Sequence, residues 1–357
     1  MSSPKITVGL LFGGRSAEHE ISLRSASAVF RNLDRRKYRP RCLYINRKGE
    51  WREVASPLLS KAELKRGRFS RFLPWQNGSS ARNFRADIYF PVLHGPFGED
   101  GTIQGLLEMA DQPYVGAGVT ASALGMDKAL HKALFAAKGL PVVKHRVILG
   151  KEWRRNRKAL LADMRASLRL PLFVKPANLG SSVGITKVKR QARLSAAILT
   201  AFRYDRKILV EEGIIGRELE CSVLGNDHPA ASLPGELVPF REFYDYEDKY
   251  LLGKTQFIAP AVLPPDIVRE VRRLAVAAFE AVDCKGMARV DFFFEKATGR
   301  LYLNEINTIP GFTEISMFPR LWERSGLPFS RLLDRLIGLG FEEHQAAKKL
   351  CLKRGRP

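Results

Sequence analysis

The chain opens on an unbroken apolar run at residues 6–12, followed by Gly13-Gly14-Arg15-Ser16 and then a stretch at 17–33 where Ile21, Ala28 and Val29 recur on one side. A short continuous run, a turn and a 3.6-residue period predict a strand feeding a helix. Further apolar runs at 41–45 and 88–93 predict two more strands of a small parallel sheet, whereas 55–85 is basic and irregular and takes no assignment. A single helix is expected over 122–137, ending at Gly139 with Pro141 just beyond it. Strands at 172–175 and 185–188 flank a glycine-serine loop, and two more are expected at 208–211 and 218–224. The amphipathic stretch 265–282 predicts a helix, 289–294 and 300–305 a hairpin turning at 297–299, and 329–338 a closing helix. The alternating first third followed by mixed elements predicts an α/β (α+β) fold. The divisions fall at 1–120, 121–215 and 216–345, with a frayed basic tail at 346–357.

At 357 residues the chain exceeds what one core usually supports, so two or three packed domains, and a cleft between them, are expected. Its 45% hydrophobic and 27% charged residues are ordinary for a folded protein. The first apolar run is too short to cross a membrane and lacks a cleavage site, so no membrane partner is expected. Cys42, Cys221, Cys284 and Cys351 are too widely spaced for a zinc or redox motif; buried thiols in a reducing cytoplasm fit them best. The formal charge of +22 raises a nucleic-acid partner. The basic residues are dispersed over 31–41, 61–71, 154–158 and 348–356 with no recognition module, so no specific nucleic acid is expected.

Three segments carry chemistry. Period-2 geometry in the late hairpin puts Arg289, Asp291 and Phe293 on one strand face and Glu305 and Asn307 on one face of its neighbour. Carboxylates about 4 Å apart repel by roughly 4 kcal/mol at an effective dielectric near 20, so a cation between them is one solution. Oxygen donors without His or Cys favour Mg²⁺, and an exposed charged hairpin is the alternative. The loop from Lys175 through Asn178-Leu179-Gly180-Ser181-Ser182 to Gly184 combines small residues with a cation, which suits a triphosphate, although it is not a Walker A loop and a plain hairpin loop is the alternative. The segment Glu211-Glu212-Gly213-Ile214-Ile215-Gly216-Arg217-Glu218 is an ordinary turn or an adenosine-reading edge.

In this order, with the flanking residues, these segments resemble an ATP-grasp enzyme, and the resemblance narrows to the D-alanine:D-alanine ligase family. The residues that carry it are Gly13-Gly14-Arg15-Ser16-Ala17-Glu18-His19-Glu20-Ile21-Ser22, His94-Gly95-Pro96-Phe97-Gly98-Glu99-Asp100-Gly101 and Asn304-Glu305-Ile306-Asn307-Thr308. The resemblance implies a three-domain ATP-grasp fold with a Rossmann-like N-terminal domain, and joining of two D-alanines through a D-alanyl phosphate for peptidoglycan precursors. It implies ATP and two Mg²⁺ (or Mn²⁺), K⁺ as an activator, a homodimer and a cytoplasmic location. By the same resemblance Lys128, Lys175, Ser182 and Lys249 hold ATP, Glu211, Gly213 and Ile214 read adenine, and Glu218 reads the ribose. Asp291, Glu305 and Asn307 hold metal, and Arg289 with the Gly311 N–H stabilises the oxyanion. Glu20 with His94 holds the first substrate and Ser316 the carboxylate of the second. Tyr250, in a closing loop, joins Ser181 and Glu20; this tyrosine favours D-alanine over D-lactate or D-serine as acceptor.

Overall fold

The computed structural model describes residues 4–69, 84–180, 183–239 and 255–350. The N-terminal lobe runs β1 (Ile6–Gly13), α1 (His19–Asn32), β2 (Tyr38–Ile45), β3 (Trp51–Val54), α2 (Lys61–Arg66), β4 (Arg68–Phe69), β5 (Ile88–Val92) and α3 (Thr102–Met109), and continues into α4 (Val119–Met126) and α5 (Lys128–Ala137). The central lobe comprises β6 (His145–Leu149), α6 (Gly150–Ser167), β7 (Leu172–Pro176), β8 (Thr186–Val188), α7 (Leu194–Ala201) and β9 (Lys207–Glu212). The C-terminal lobe comprises β10 (Gly216–Gly225), β11 (Ala230–Ala231), β12 (Gly235–Val238), β13 (Gln256–Ile258), α8 (Pro265–Ala281), β14 (Gly286–Glu295), β15 (Arg300–Asn307), α9 (Met317–Arg324) and α10 (Phe329–Lys348).

Among the described residues the first sheet has the order β4-β3-β2-β1-β5, with β1 parallel to both β2 and β5 and the β3 edge antiparallel. Val8, Leu10 and Phe12 face a core completed from the far end of the chain by Leu332, Leu333 and Leu336 of α10. Each such side chain contributes about 1.5–3 kcal/mol on burial. The central sheet is β6-β9-β7-β8, antiparallel throughout and backed by Trp153 and Met164 of α6 and Leu194 and Ile198 of α7. The third sheet runs β13-β12-β10-β14-β15, and Val271, Leu274, Ala275, Ala278 and Phe279 of α8 form the apolar stripe that covers it.

Three sequence expectations need correction. The helix anticipated over 122–137 is two helices: Asp127 leaves helical geometry and its carboxylate caps α5 by accepting from the N–H groups of Ala129 (3.0 Å) and Leu130 (3.2 Å). The irregular segment contains α2, closed by a Ser60–Glu63 capping box, while 70–83 lies outside the described residues. The closing helix does not stop at 338: α10 continues to Lys348, whose ammonium pairs with Asp111 at 3.1 Å. Cys42, Cys221 and Cys284 are free and buried, and Cys351 lies outside the described residues. No helix among the described residues is long and apolar enough to cross a membrane.

Candidate active site

The hairpin β14–β15 builds the centre of the site. Antiparallel pairing sets Asp291 opposite Glu305 and Arg289 opposite Asn307. A bulge at Asp291/Phe292 inserts Asn304, so Asn304 and Glu305 both line the cavity while Leu303 and Ile306 stay in the core. Strict alternation had put Asn304 on the other face.

Two cavities meet at this hairpin. The first is walled by Lys128, Phe173, Lys175, Ile185, Glu211, Gly213, Ile214, Glu218, Leu237 and Phe293, and by Asp291, Asn304 and Glu305 at its floor. The second is lined by Glu18, His94, Glu99, Ile309, Gly311, Thr313, Ser316 and Asn307. Gly180, Glu220, Arg289 and Glu305 border both.

Every cation of the first cavity is held against an acid. Lys175, at the end of β7, reaches Glu211 Oε2 at 2.6 Å and Asn304 Oδ1 at 3.4 Å. Lys128, at the start of α5, donates to the Leu179 carbonyl (2.8 Å) and pairs with Glu305 at 3.3 Å. The loop between them is anchored by Asp205, which accepts from the backbone N–H and the side-chain amide of Asn178 at 2.8 and 2.9 Å. Burial tends to raise the Glu211 carboxyl, but the ammonium groups of Lys132 and Lys175 outweigh it and hold it at about 2. The Gly213 N–H donates to the Pro171 carbonyl at 2.7 Å, so that donor is already engaged.

Arg289 grips Asp291 through two hydrogen bonds of 2.7 Å and reaches Glu220 at 3.3 Å. Burial opposes its charge, yet these carboxylates hold the guanidinium pKa well above its ordinary value. Asn307 donates to Asp291 Oδ2 at 3.0 Å. No group of three His, Cys, Asp or Glu side chains among the described residues is placed to hold a metal ion; beside the paired Asp291 and Glu305 the Asn307 carboxamide is a further oxygen group at this spot. Two acids and an amide oxygen, already drawing Arg289 and Lys128 as counter-charges, are a donor set suited to a hard cation.

The second cavity is dominated by hydrogen bonds. His94 is buried, its Nδ1 facing the Ile309 carbonyl (3.1 Å) and its Nε2 facing Ser25 Oγ (3.0 Å); burial lowers its pKa. Glu99 accepts from the Gly95 N–H at 2.6 Å, and burial, reinforced by the charge of Glu18, pushes its carboxyl up to about 8. Ser316 Oγ accepts from the Thr313 N–H at 3.0 Å and caps the turn that carries Gly311. A Cβ on Gly311 would sit 2.8 Å from that hydroxyl.

The role expected of Glu20 does not fit its place. Glu20 points to the outside of α1, paired with Lys61 (3.0 Å) and Arg47 (3.4 Å) and 41% exposed. Glu18 is the residue in the cavity: Cβ atoms built on Gly95 and Gly180 would lie 2.5 and 3.3 Å from its carboxylate. At about 100° per residue, two positions turn a side chain to the other side of a helix. Ser181, Ser182, Lys249 and Tyr250 lie outside the described residues. The other expected residues line one cavity or both, joined by Glu18, Glu99, Glu220 and Asn304, which the sequence reading did not single out, while Lys132 lies buried behind Glu211. Glu18 and Glu99 stood in quoted motifs; Lys132 and Glu220 carried no local signal.

The sequence models described as D-ala D-ala ligase N-terminus and D-ala D-ala ligase C-terminus match residues 7–117 and 134–338. The D-alanine–D-alanine ligase of Solibacter usitatus is 50% identical over 341 residues, covering 96% of this chain and 97% of that protein. That of Heliobacterium modesticaldum is 45% identical, with 98% of each covered. Among solved structures, the D-alanine-D-alanine ligase from Coxiella burnetii superposes with a TM-score of 0.86 at 39% identity over 97% of both chains. The VanG D-Ala:D-Ser ligase from Enterococcus faecalis gives 0.83 at 37% identity over 94% of this chain and 100% of that one. With both halves matched and relatives this similar along nearly the whole length, the chain belongs to the D-alanine–D-alanine ligase family.

Proposed function

We propose that the chain joins two D-alanines to D-alanyl-D-alanine at the expense of ATP, for peptidoglycan precursors, with the two cavities dividing the work. The observation that carries this is their shared border: Arg289 and Glu305 face both. ATP takes the first cavity, with the adenine between the apolar walls beside Glu211 and Ile214, the ribose at Glu218, and the phosphates at Lys128 and Lys175. Asp291, Glu305 and Asn307 would hold Mg²⁺, which when bound supplies charge neutralisation during phosphoryl transfer. The first D-alanine lies in the second cavity with its ammonium at Glu18 near His94. Its carboxylate at the border accepts the γ-phosphoryl group, giving D-alanyl phosphate and ADP. The amine of the second D-alanine, its carboxylate held at Ser316, attacks the acyl carbon. Arg289 and the Gly311 N–H stabilise the tetrahedral oxyanion, and its collapse expels phosphate.

The closing loop with Lys249 and Tyr250, and Ser181 with Ser182 in the phosphate loop, keep the roles that the resemblance implies, with Glu18 instead of Glu20 as the acid that Tyr250 and Ser181 reach. So do Mn²⁺ as a substitute, K⁺ activation, a homodimer and cytoplasmic residence. Incubation with ATP, Mg²⁺ and a mixture of D-alanine, D-serine and D-lactate tests the reading. Mass spectrometry should find D-alanyl-D-alanine as the main product, with phosphate released in step. A D-alanyl-D-serine product would transfer the acceptor assignment to the VanG-like reading, and no phosphate release would end the proposal.

A further inference from the structure

Lys132 lies one turn along α5 from Lys128 and is buried with 1% of its side chain exposed. Lysine is almost never buried so completely without a paired acid and a reason to stay. Its ammonium donates to Glu211 Oε1 at 2.8 Å and lies 3.5 Å from the Leu303 carbonyl. The other oxygen of the same carboxylate takes Lys175 at 2.6 Å. One anion is therefore shared by two cations of unlike access: Lys132 is fully buried and is not part of the cavity lining, whereas Lys175 lines the cavity and makes a second contact, to Asn304, at 3.4 Å.

From this geometry we propose that Lys132 is a positioning residue that frees Lys175 for the nucleotide. With Lys132 in place Glu211 remains neutralised when Lys175 turns from it to the phosphates, so the transfer leaves a matched buried pair. Without Lys132, Lys175 is the sole counter-ion of a buried carboxylate, and its departure would strand that charge in the core. The same arrangement keeps Glu211 anionic and fixed beside the adenine edge. This inference rests on the assignment of Lys175 to the phosphates.

Steady-state phosphate release from the full-length enzyme with Mg²⁺-ATP and D-alanine tests it. Lys132→Met should raise the KM for ATP by about tenfold while the KM for D-alanine and kcat stay within about threefold. Lys132→Met/Glu211→Gln, which removes both charges, should have the ATP KM of Glu211→Gln alone, because once the carboxylate is neutral Lys132 has no charge left to offset. A packing role alone predicts the same rise in both backgrounds. An unchanged ATP KM in Lys132→Met, or a double variant whose ATP KM exceeds that of Glu211→Gln by as large a factor as Lys132→Met exceeds wild type, overturns the inference. Lys175→Met separates the two levels: if it leaves the ATP KM unaltered, the phosphate assignment fails, whereas an impaired Lys175→Met beside an unaffected Lys132→Met sinks the inference alone. Should Lys132→Met not fold, the double variant decides. An ATP KM within about threefold of that of Glu211→Gln supports the proposal and a higher one refutes it.

Discussion

Glu211 is buried and Glu99 partly buried at the same centre, yet their carboxyls are driven in opposite directions, one held at about 2 and the other pushed up to about 8. The residue type is the same, so the neighbours decide. Around Glu211 two lysines turn burial into tight ion pairing; around Glu99 burial is reinforced by the negative charge of Glu18. The first cavity is thus built to keep charge, and the second to keep a proton.

The largest test removes a charge from the border. Glu305→Gln should fold with a melting temperature close to wild type and lose about a thousandfold or more in kcat, because the amide no longer offsets Lys128 or offers an anionic donor. Circular dichroism with phosphate release checks it, and retained turnover would break the charge-keeping half of the contrast. Next, Arg289→Met should cost about 3–4 kcal/mol of transition-state stabilisation if the oxyanion role holds. It should also lower the melting temperature, since Asp291 and Glu220 lose their shared cation.

Smaller in effect, Glu18→Gln against Glu20→Gln sharpens the reading of the second cavity. The first should raise the KM for D-alanine by about tenfold or more, and the second should change it less than about twofold, as a surface pair contributes little. Equal effects would return the substrate role to Glu20. The smallest effect is a slope. A carboxyl raised in the folded state stabilises the fold fully below its unfolded pKa near 4.5, and that stability is lost as pH rises through about 8. The groups acting on Glu99 include Glu18 and Arg289, with His94 lining the same cavity. Glu99→Gln should therefore flatten the decline in chemical-denaturation stability between pH 5 and pH 8, and an unaltered slope would remove the proton-keeping half.

Much of this site was legible in the sequence because it is built on local geometry. Period-2 alternation puts Asp291, Glu305 and Asn307 together once a hairpin is recognised, and the loop after Lys175 is marked by its glycines. What escaped was set by neighbours distant in sequence. The bulge that admits Asn304 depends on how β14 and β15 slip past each other. The pairing of Lys132 with Glu211 spans 79 residues, and Lys132 sits in a helix whose period reads as amphipathic whether or not that lysine is buried. The break at Asp127 was hidden between Leu124 and Met126 on one side and Lys128, Ala129 and Leu130 on the other, with Gly125 a weak local signal; the capping carboxylate and its pairing with Lys207 mark it. Glu18 and Glu20 differ by half a turn at a helix start, which is within the uncertainty of helix boundaries.

The last helix lies on the first sheet, where Leu332, Leu333 and Leu336 seal Val8, Leu10 and Phe12. During synthesis the opening lobe must wait, with an apolar face uncovered, until more than 330 residues have left the ribosome, and only then can its interior close. A fragment cut ahead of that helix keeps only the part of this cover that α1, Phe312 and Phe318 supply, and leaves the rest of the face exposed.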